Sequence, residues 1–485
     1  MMRPRRLRLR ARAALAPLLA ALLAAGCASF DGLAPKAQRT GAASLQAKAT
    51  LADVQPSAAW PAANWWQGFG DAQLDALIEE ALAGNPGIGS ARARIDRARA
   101  LAAASGAALA PQGNAGLNVT RQRYSSNGIF PPPIAGSWHT QTDLAATFSY
   151  ELDLWGRNRA GYDAALGQAR AAEVDAYAVR LLLASSVARA YAELARSFEL
   201  LDLARDTLKQ REAMLDLTQR RVAAGLDSDL ELKQAEGSIP AARAHIAQIE
   251  EEIALGRNLL AALAGKGPDR GLAITRPQLR AQPVALPSVL PADLLGRRPD
   301  VAAQRWRVES ARRDIDAAKA QFYPNLNLSA LVGLQSIDFA KLLTARSEDP
   351  AFGPALRLPL FDGGRLRANL AAKDADYDLA VEQYNQTLTE ALREVVDQLA
   401  SLKSLDAQRA ELERSLESAR AAYALAAERY RAGVASYLQV LAAETPLLEQ
   451  KNLRANLRAR QLELSINLIR ALGGGFTDAA ASGAS

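Results

Sequence analysis

The chain has 485 residues, of which 49% are hydrophobic, 6% aromatic and 23% charged. This composition excludes disorder throughout and leaves room for about two to four ordinary domains. Lys and Arg number 58 and Asp and Glu number 52, a net charge of +6. The first 26 residues contain six arginines and no acidic residue, so they account for the whole excess. Without that segment the chain is formally neutral, so no nucleic-acid partner is predicted.

The first 26 residues have the anatomy of a signal peptide, because arginines precede a 13-residue apolar stretch that is too short to span a bilayer. Cys27, the single cysteine, follows directly after Gly26 and excludes a disulfide within the chain. This ending resembles the bacterial lipobox, whose cysteine is acylated after cleavage; the alternative is an incidental or buried cysteine. Two or more acyl chains suffice for stable anchoring. By resemblance to the bacterial lipoprotein sorting rule, Ala28 in place of aspartate favours sorting to the outer membrane.

The remainder of the sequence repeats itself. At an offset of 213, eight identities fall within 26 positions, beginning with Pro86 and Pro299. At an offset of 208, the register holds for 80 residues, beginning with Gly156 and Gly364. These patterns predict a signal peptide (1–26), a lipidated extended segment (27–70), a first repeat (71–264), a proline-rich linker (265–291), a second repeat (292–474) and a flexible tail (475–485).

Each repeat is predicted to begin with a short helix and continue with two strands. The helices begin near Pro86 and Pro299, since proline suits the first helical turn, and end before Pro111 and Pro324. Apolar residues then alternate with polar ones, weakly around Leu117 and Val119 and clearly over residues 143–154, 325–334 and 351–360. No apolar run after the signal peptide approaches the length of a membrane-spanning helix.

Four strands that are each apolar on one face fit either soluble half-buried hairpins or a membrane barrel, and the lipid anchor favours the barrel. Unpaired strand edges are costly in lipid, so oligomerisation must close the sheet. A dimer would give eight strands with a filled interior, whereas a trimer would give twelve and a lumen. A trimer is therefore favoured, with the loops 125–137 and 336–350 outside the cell.

The longest predicted helices begin at Gly156 and Gly364 and run for about 68 residues, or about 100 Å. They turn back at Gly225 and Gly433, and the returning helices have about 35 residues. The second long helix has a coiled-coil seam with gaps of mostly four and three residues. Its positions are Tyr377, Val381, Tyr384, Leu388, Ala391, Val395, Leu399 and Leu402.

Six stretches carry a family resemblance over nearly the whole mature chain. They are NWWQGFGDAQLDALIEEALAGNPGI from Asn64, YELDLWGRNRA from Tyr150, LLGRRPDVAAQRW from Leu294, FYPNLNL from Phe322, PLFDGGRLRANL from Pro359 and RYRAGVASYLQVLAAE from Arg429. The sequence resembles the outer-membrane efflux channels of the TolC type, in the lipoprotein branch associated with RND pumps. It departs from the family locally, at Gly87 and in the glycine-rich first strand.

The resemblance implies a mainly α-helical fold with a membrane β part. Three chains would form a twelve-stranded transmembrane β-barrel and a long coiled-coil helical barrel in the periplasm. The protein would be a passive conduit for small toxic compounds, working with a periplasmic adaptor and an inner-membrane pump of the RND type. The sequence does not specify the cargo, which could be drugs, metabolites or metal ions.

The resemblance also implies that the helical hairpin of the adaptor docks where the long helices turn back. We call residues 224–227 the first tip turn and residues 432–436 the second tip turn. The candidate docking residues are Gly225, Leu226, Asp227, Gly433, Val434 and Ser436. The alternative is that both glycines serve only the reversal of the chain.

A channel that is closed at rest needs a gate, and charges of opposite sign gather near the tip turns. The candidate gate residues are Arg221, Asp229, Arg429, Arg431, Tyr430 and Tyr437. A solvated helix end would also collect such charges. Each exposed pair contributes only about 0.2–1 kcal/mol, but threefold repetition multiplies the effect. The double variant Asp229→Ala, Arg429→Ala is predicted to raise the resting conductance.

The sequence offers no catalytic or metal site. His139 and His245 lie in different segments, and Cys27 is assigned to lipid, so neither a catalytic triad nor a metal cluster can be proposed. The glycine-rich pieces lack the phosphate-loop pattern. We therefore expect no enzyme activity and no cofactor other than the covalent lipid. A structural lipoprotein coiled coil is the alternative class, and it would leave the strands unexplained.

Overall fold

The computed structural model describes residues 30–41, 44–45, 60–280, 296–359 and 361–478. Cys27 and the signal peptide lie outside the described residues. Within these ranges the helices are α1 (Ala72–Gly84), α2 (Pro86–Gly106), α3 (Arg157–Ala223), α4 (Asp229–Leu263), α5 (Asp269–Leu272), α6 (Pro299–Ala320), α7 (Arg365–Arg431) and α8 (Tyr437–Ala471). The strands are β1 (Gln112–Arg123), β2 (Trp138–Leu152), β3 (Asn325–Ser336) and β4 (Ala351–Arg357).

The described residues form two compact units, and each unit draws on both sequence repeats. Of these residues, the sheet unit takes 30–39, 96–171, 304–359 and 361–384, and the helical unit takes 40–41, 44–45, 60–95, 172–280, 296–303 and 385–478. The predicted boundaries of the repeats remain a prediction. Each unit combines residues of both repeats, so the units do not test where a repeat begins or ends. Within the described ranges, no helix is both long and apolar enough to cross a membrane.

The sheet unit contains one antiparallel sheet with the strand order β1-β2-β3-β4. Its register places Leu117 opposite Leu144 and Leu144 opposite Leu334, so apolar side chains share one face across neighbouring strands. Four strands with an apolar face were expected from the alternation. β1 is longer than its weak alternation indicates, because all twelve of its residues pair with β2.

Two strand ends were predicted wrongly. β2 ends at Leu152, two residues before the predicted Leu154, because the Asp153 carboxylate accepts hydrogen bonds from the backbone N–H groups of Asn158 (3.1 Å) and Arg159 (2.7 Å) and so caps α3. β4 ends at Arg357 although alternation continues, since Pro359 has no N–H to donate to a ladder. At both places local capping and proline chemistry override the alternation.

The long helices agree closely with the prediction. α3 and α7 have 67 residues each, and α4 and α8 have 35 each. Most of the predicted seam of α7 is buried, with Val381, Ala391 and Val395 having no exposed surface. The residues whose apolar spacing indicates a coiled coil therefore form the face along which this helix packs.

The helical unit has its main apolar core around α1, a helix that was not predicted separately from the sequence. Asp71 caps α1 by accepting a hydrogen bond from the backbone N–H of Gln73 (2.9 Å). The other oxygen of Asp71 accepts from the Tyr191 hydroxyl (2.9 Å) and from the backbone N–H of Gln278 (2.7 Å). One carboxylate thus starts a helix and joins it to two distant segments.

A second polar centre of the helical unit is the buried guanidinium of Arg298, which is 7% exposed. It donates to Asp300 Oδ1 (3.0 Å), Glu394 Oε2 (3.0 Å) and the carbonyl oxygen of Ala471 (3.1 Å). Those partners come from α6, α7 and α8. Because a buried charge is costly without partners, these bonds hold the three helices in one arrangement.

Candidate functional site

The two tip turns have the same backbone geometry. The N–H of Leu226 bonds to the carbonyl of Arg221, and the N–H of Val434 bonds to the carbonyl of Arg429, both at about 3 Å. Gly225 has φ +70° and Gly433 has φ +78°, values that favour glycine. Each turn therefore ends its long helix with a glycine in the left-handed region.

Both tip turns expose apolar side chains. Leu226 and Val434 are each 65% exposed, although apolar groups of this size are usually buried. A Cβ atom added to Gly225 would meet nothing within 4 Å, and one added to Gly433 would meet only Arg221 Nη1, at 3.5 Å. The backbone of both turns is therefore open to the approach of another molecule. Ser436, the N-cap residue of α8, is also exposed.

Beside the first tip turn, four side chains form a buried polar network. Arg221 donates to both carboxylate oxygens of Asp227 (2.8 and 3.1 Å), and these two side chains are only 9% and 7% exposed. The Tyr430 hydroxyl donates to Asp227 Oδ2 (2.6 Å) and lies 2.9 Å from Thr218 Oγ1. Since Tyr430 belongs to the second repeat and the others to the first, the network links the two hairpins of one chain.

Aromatic packing completes this network. The guanidinium carbon of Arg221 lies 4.7 Å from the centre of the Tyr430 ring, and the Tyr430 and Tyr437 rings are 5.8 Å apart. Arg211 and Glu444 form an ion pair next to it at 3.0 Å. Arg221, Tyr430 and Tyr437 thus lie together beside the first tip turn, while Thr218, Arg211 and Glu444 were not anticipated from the sequence.

The electrostatics of the network follow from its contacts. The pKa of the Asp227 carboxyl lies below its ordinary value of 3.8, chiefly because Arg221 donates to it; burial opposes this shift and the Tyr430 hydroxyl adds to it. Burial raises the pKa of Tyr430 to about 12, and the hydrogen bond to Asp227 acts in the same direction. At neutral pH the network therefore contains a carboxylate, a guanidinium and a neutral phenol.

The other candidate gate residues lie outside this network. Asp229 and Arg429 are exposed, and within the described part of the chain no hydrogen bond or ion pair joins them. Arg431 is exposed and pairs with Glu428 one turn away, at 3.5 Å. The network is also asymmetric between the repeats, because Ala435 occupies the position that corresponds to Asp227 at the offset of 208.

The chain matches a known protein family over most of its length. The family model described as outer membrane efflux protein matches residues 77–266 and 290–474. The chain belongs to the outer membrane efflux protein family. This family consists of channel proteins of the outer membrane, not enzymes, and the resemblance seen in the sequence motifs is confirmed together with the predicted fold class, outer-membrane location and role in efflux.

Individual family members are similar over most of the chain. The fusaric acid resistance protein FusA of Burkholderia cepacia is 44% identical over 368 residues, which are 75% of this chain and 69% of that protein. The multidrug resistance outer membrane protein MdtP of Escherichia coli K12 is 35% identical over 87% of this chain and 88% of that protein. The structure of the outer membrane protein VceC of Vibrio cholerae matches with a TM-score of 0.80 at 39% identity, covering 86% of this chain and all of that one.

Proposed function

We propose that three copies of this chain form the outer-membrane conduit of a tripartite efflux system. The conduit takes small toxic compounds from a periplasmic adaptor and an inner-membrane pump of the RND type to the outside. The open four-stranded sheet carries the proposal. Within the described residues β1 and β4 each pair on one side only, and the apolar face includes the exposed Phe148, Val332 and Phe352. Three such sheets joined edge to edge would give twelve strands with every edge paired.

A matched pair of charge insertions on β1 tests this arrangement. Val119 lies on the apolar face, whereas Asn118 lies on the polar face opposite Asp143. Val119→Arg should cost about 2–4 kcal/mol in the membrane and reduce the heat-resistant trimer in outer-membrane fractions, while Asn118→Arg should leave it unchanged. Equal tolerance of both charges, or a wild-type particle of one or two chains by light scattering, would contradict the trimeric barrel.

We further propose that Cys27 is acylated and anchors the chain. Residues 30–39 support this, because they pack within the sheet unit. The Phe30 and Phe322 rings are 5.2 Å apart, and Asp378 accepts hydrogen bonds from two consecutive backbone N–H groups, at residues 36 and 37 (2.8 and 2.9 Å). Phe30 is three residues from Cys27, a reach of about 10 Å. Since Phe322 lies three residues before the start of β3, a lipid on Cys27 would lie near that end of the sheet.

The tip turns are proposed as the docking site of the adaptor, with Leu226 and Val434 as apolar anchors and Gly225 and Gly433 allowing close backbone approach. The double variant Gly225→Trp, Gly433→Trp should abolish export without reducing the trimer. A matched control is Gly237→Trp, since Gly237 lies inside α4 with nothing within 4 Å of an added Cβ. Export that survives the double variant would count against docking at the tip.

The polar network of Arg221, Asp227 and Tyr430 is proposed as part of the resting gate. It ties the two hairpins of one chain together next to the tip turns, so releasing it would let them separate. The exposed Asp229 and Arg429 could contribute only through a neighbouring copy. An adaptor that binds the tip turns would act on the same segments, which links docking to opening.

A further inference from the structure

A cleft of about 490 Å³ lies in the sheet unit, where the strands end and the long helices begin. The strand residues that line it are Glu151, Leu152, Asn325, Asn327, Ala355 and Arg357. All except Leu152, the last residue of β2, belong to the polar face of the sheet. The register confirms this, because Glu151 is opposite Asn327 and Asn325 is opposite Arg357. In the proposed barrel the polar face lines the lumen, so the cleft opens onto the conduit.

Three arginines line the cleft, and one of them is neutralised. Arg157 donates to Glu151 Oε2 at 2.5 Å. Arg357 and Arg365 are exposed, and within the described part of the chain neither forms an ion pair or a hydrogen bond through its guanidinium. Two guanidinium groups therefore present unused donors to the cleft.

The nearby carboxylates do not neutralise these two arginines by direct contact. Asp153 lines the cleft, but its oxygens accept hydrogen bonds from backbone N–H groups at the start of α3. Asp362 interacts electrostatically with Arg365, but its oxygens accept from the backbone N–H groups of Gly364 (2.9 Å) and Leu366 (2.8 Å). Both carboxylates act as helix caps, so Arg357 and Arg365 remain available to an external anion.

An aromatic pair forms another wall of the cleft. The Trp155 and Tyr323 rings are stacked, with centroids 4.7 Å apart and an interplanar angle of 20°. The Trp155 indole N–H donates to the carbonyl oxygen of Pro324 (2.8 Å), which holds the ring in place, and half of Trp155 remains exposed. Asn327 also lines the cleft, and its side-chain oxygen is buried without a partner among the described residues.

We propose that this cleft is a weak cargo-binding site for small aromatic carboxylates. Guanidinium groups bind carboxylates through two parallel charge-assisted hydrogen bonds, and a fixed aromatic wall offers a face for a planar ring. The inference rests on the proposed function, because the cleft lies on the conduit only if three sheets close into a barrel. A conducting site must bind weakly enough to release its cargo.

Equilibrium dialysis of the purified full-length channel with radiolabelled salicylate tests the site. Salicylamide, which has the same ring and hydroxyl without the charge, is the matched ligand. Arg357→Gln and Arg365→Gln should each weaken salicylate binding about tenfold, the loss expected for one hydrogen bond to a charged group. Arg346→Gln, which removes the same charge from the loop between β3 and β4, should bind like the wild type.

The proposal is overturned if salicylate and salicylamide bind alike, if the two cleft variants bind salicylate like the wild type, or if Arg346→Gln loses as much affinity as they do. Light scattering and the export of uncharged compounds are measured on the same variants. If the protein is trimeric and exports uncharged compounds but does not bind salicylate specifically, the cleft proposal is wrong and the proposed function is unaffected. Loss of the trimer in the wild type would instead count against the proposed function.

Discussion

Replacing Tyr430 by phenylalanine should loosen the resting tip of the channel. The substitution removes only the hydroxyl that donates to Asp227 and contacts Thr218, and it keeps the ring that packs on Arg221 and Tyr437. Because Asp227 and Thr218 belong to the other hairpin of the chain, the lost hydroxyl is a link between hairpins. The expected result is a higher resting open probability with an unchanged trimer.

The magnitude follows from the partners that remain. A hydrogen bond to a charged group contributes about 1.5–3 kcal/mol. Thr218 stays satisfied through its bond to the carbonyl oxygen of Met214 (3.0 Å), and Asp227 keeps both bonds from Arg221. The loss is therefore about 2 kcal/mol per chain, which corresponds to roughly a 30-fold shift of the opening equilibrium if the bond exists only in the closed tip. Three identical links would together contribute about 6 kcal/mol.

Single-channel recordings in planar bilayers measure this directly. Tyr423→Phe is the matched control, since Tyr423 lies on the same helix and its hydroxyl has no hydrogen bond within the described part of the chain. The double variant Asp229→Ala, Arg429→Ala is recorded in parallel, because those exposed residues act only if neighbouring copies pair through them. If the Tyr430→Phe channel stays as closed as the wild type while the double variant opens, the contacts that close the tip lie between neighbouring copies. The proposed role of the Tyr430 hydroxyl in the gate is then wrong.

Three further outcomes are expected. The pKa of Asp227 is lowered from 3.8 and that of Tyr430 is raised to about 12. The network should therefore be intact between about pH 4 and pH 10, and it should weaken as the pH falls further below 3.8 or rises through 12. Recordings of the resting conductance against pH measure this dependence. Cys27→Ser should abolish palmitate labelling and signal-peptide cleavage while the chain still trimerises, and an unlabelled wild type would refute the lipobox. Arg298→Met should lower the free energy of unfolding by about 3 kcal/mol in urea titrations, because it removes the hydrogen bonds that one buried guanidinium makes to α6, α7 and α8. A similar loss for Arg297→Met would contradict a specific role of Arg298.

Much of this protein can be predicted from short-range patterns. A repeat offset, a 3.5-residue apolar spacing and a period of two are local properties, and they were enough to indicate two long helical hairpins and four one-faced strands. The glycines of the tip turns were recognisable because only glycine readily adopts the left-handed geometry that Gly225 and Gly433 have. The family resemblance rests on the same local motifs.

The polar contacts of the site depend on the folded chain. No spacing in the sequence relates Asp227 to Tyr430, which are 203 positions apart, or Arg298 to the carbonyl of Ala471, 173 positions away. The repeats even suggest a symmetric tip, yet Ala435 replaces the carboxylate in the second copy. Likewise Arg357 and Trp155 line one cleft only because strand register and helix capping bring their segments together. Such contacts depend on the three-dimensional packing of distant segments, and a periodic pattern records only which face of each element is apolar.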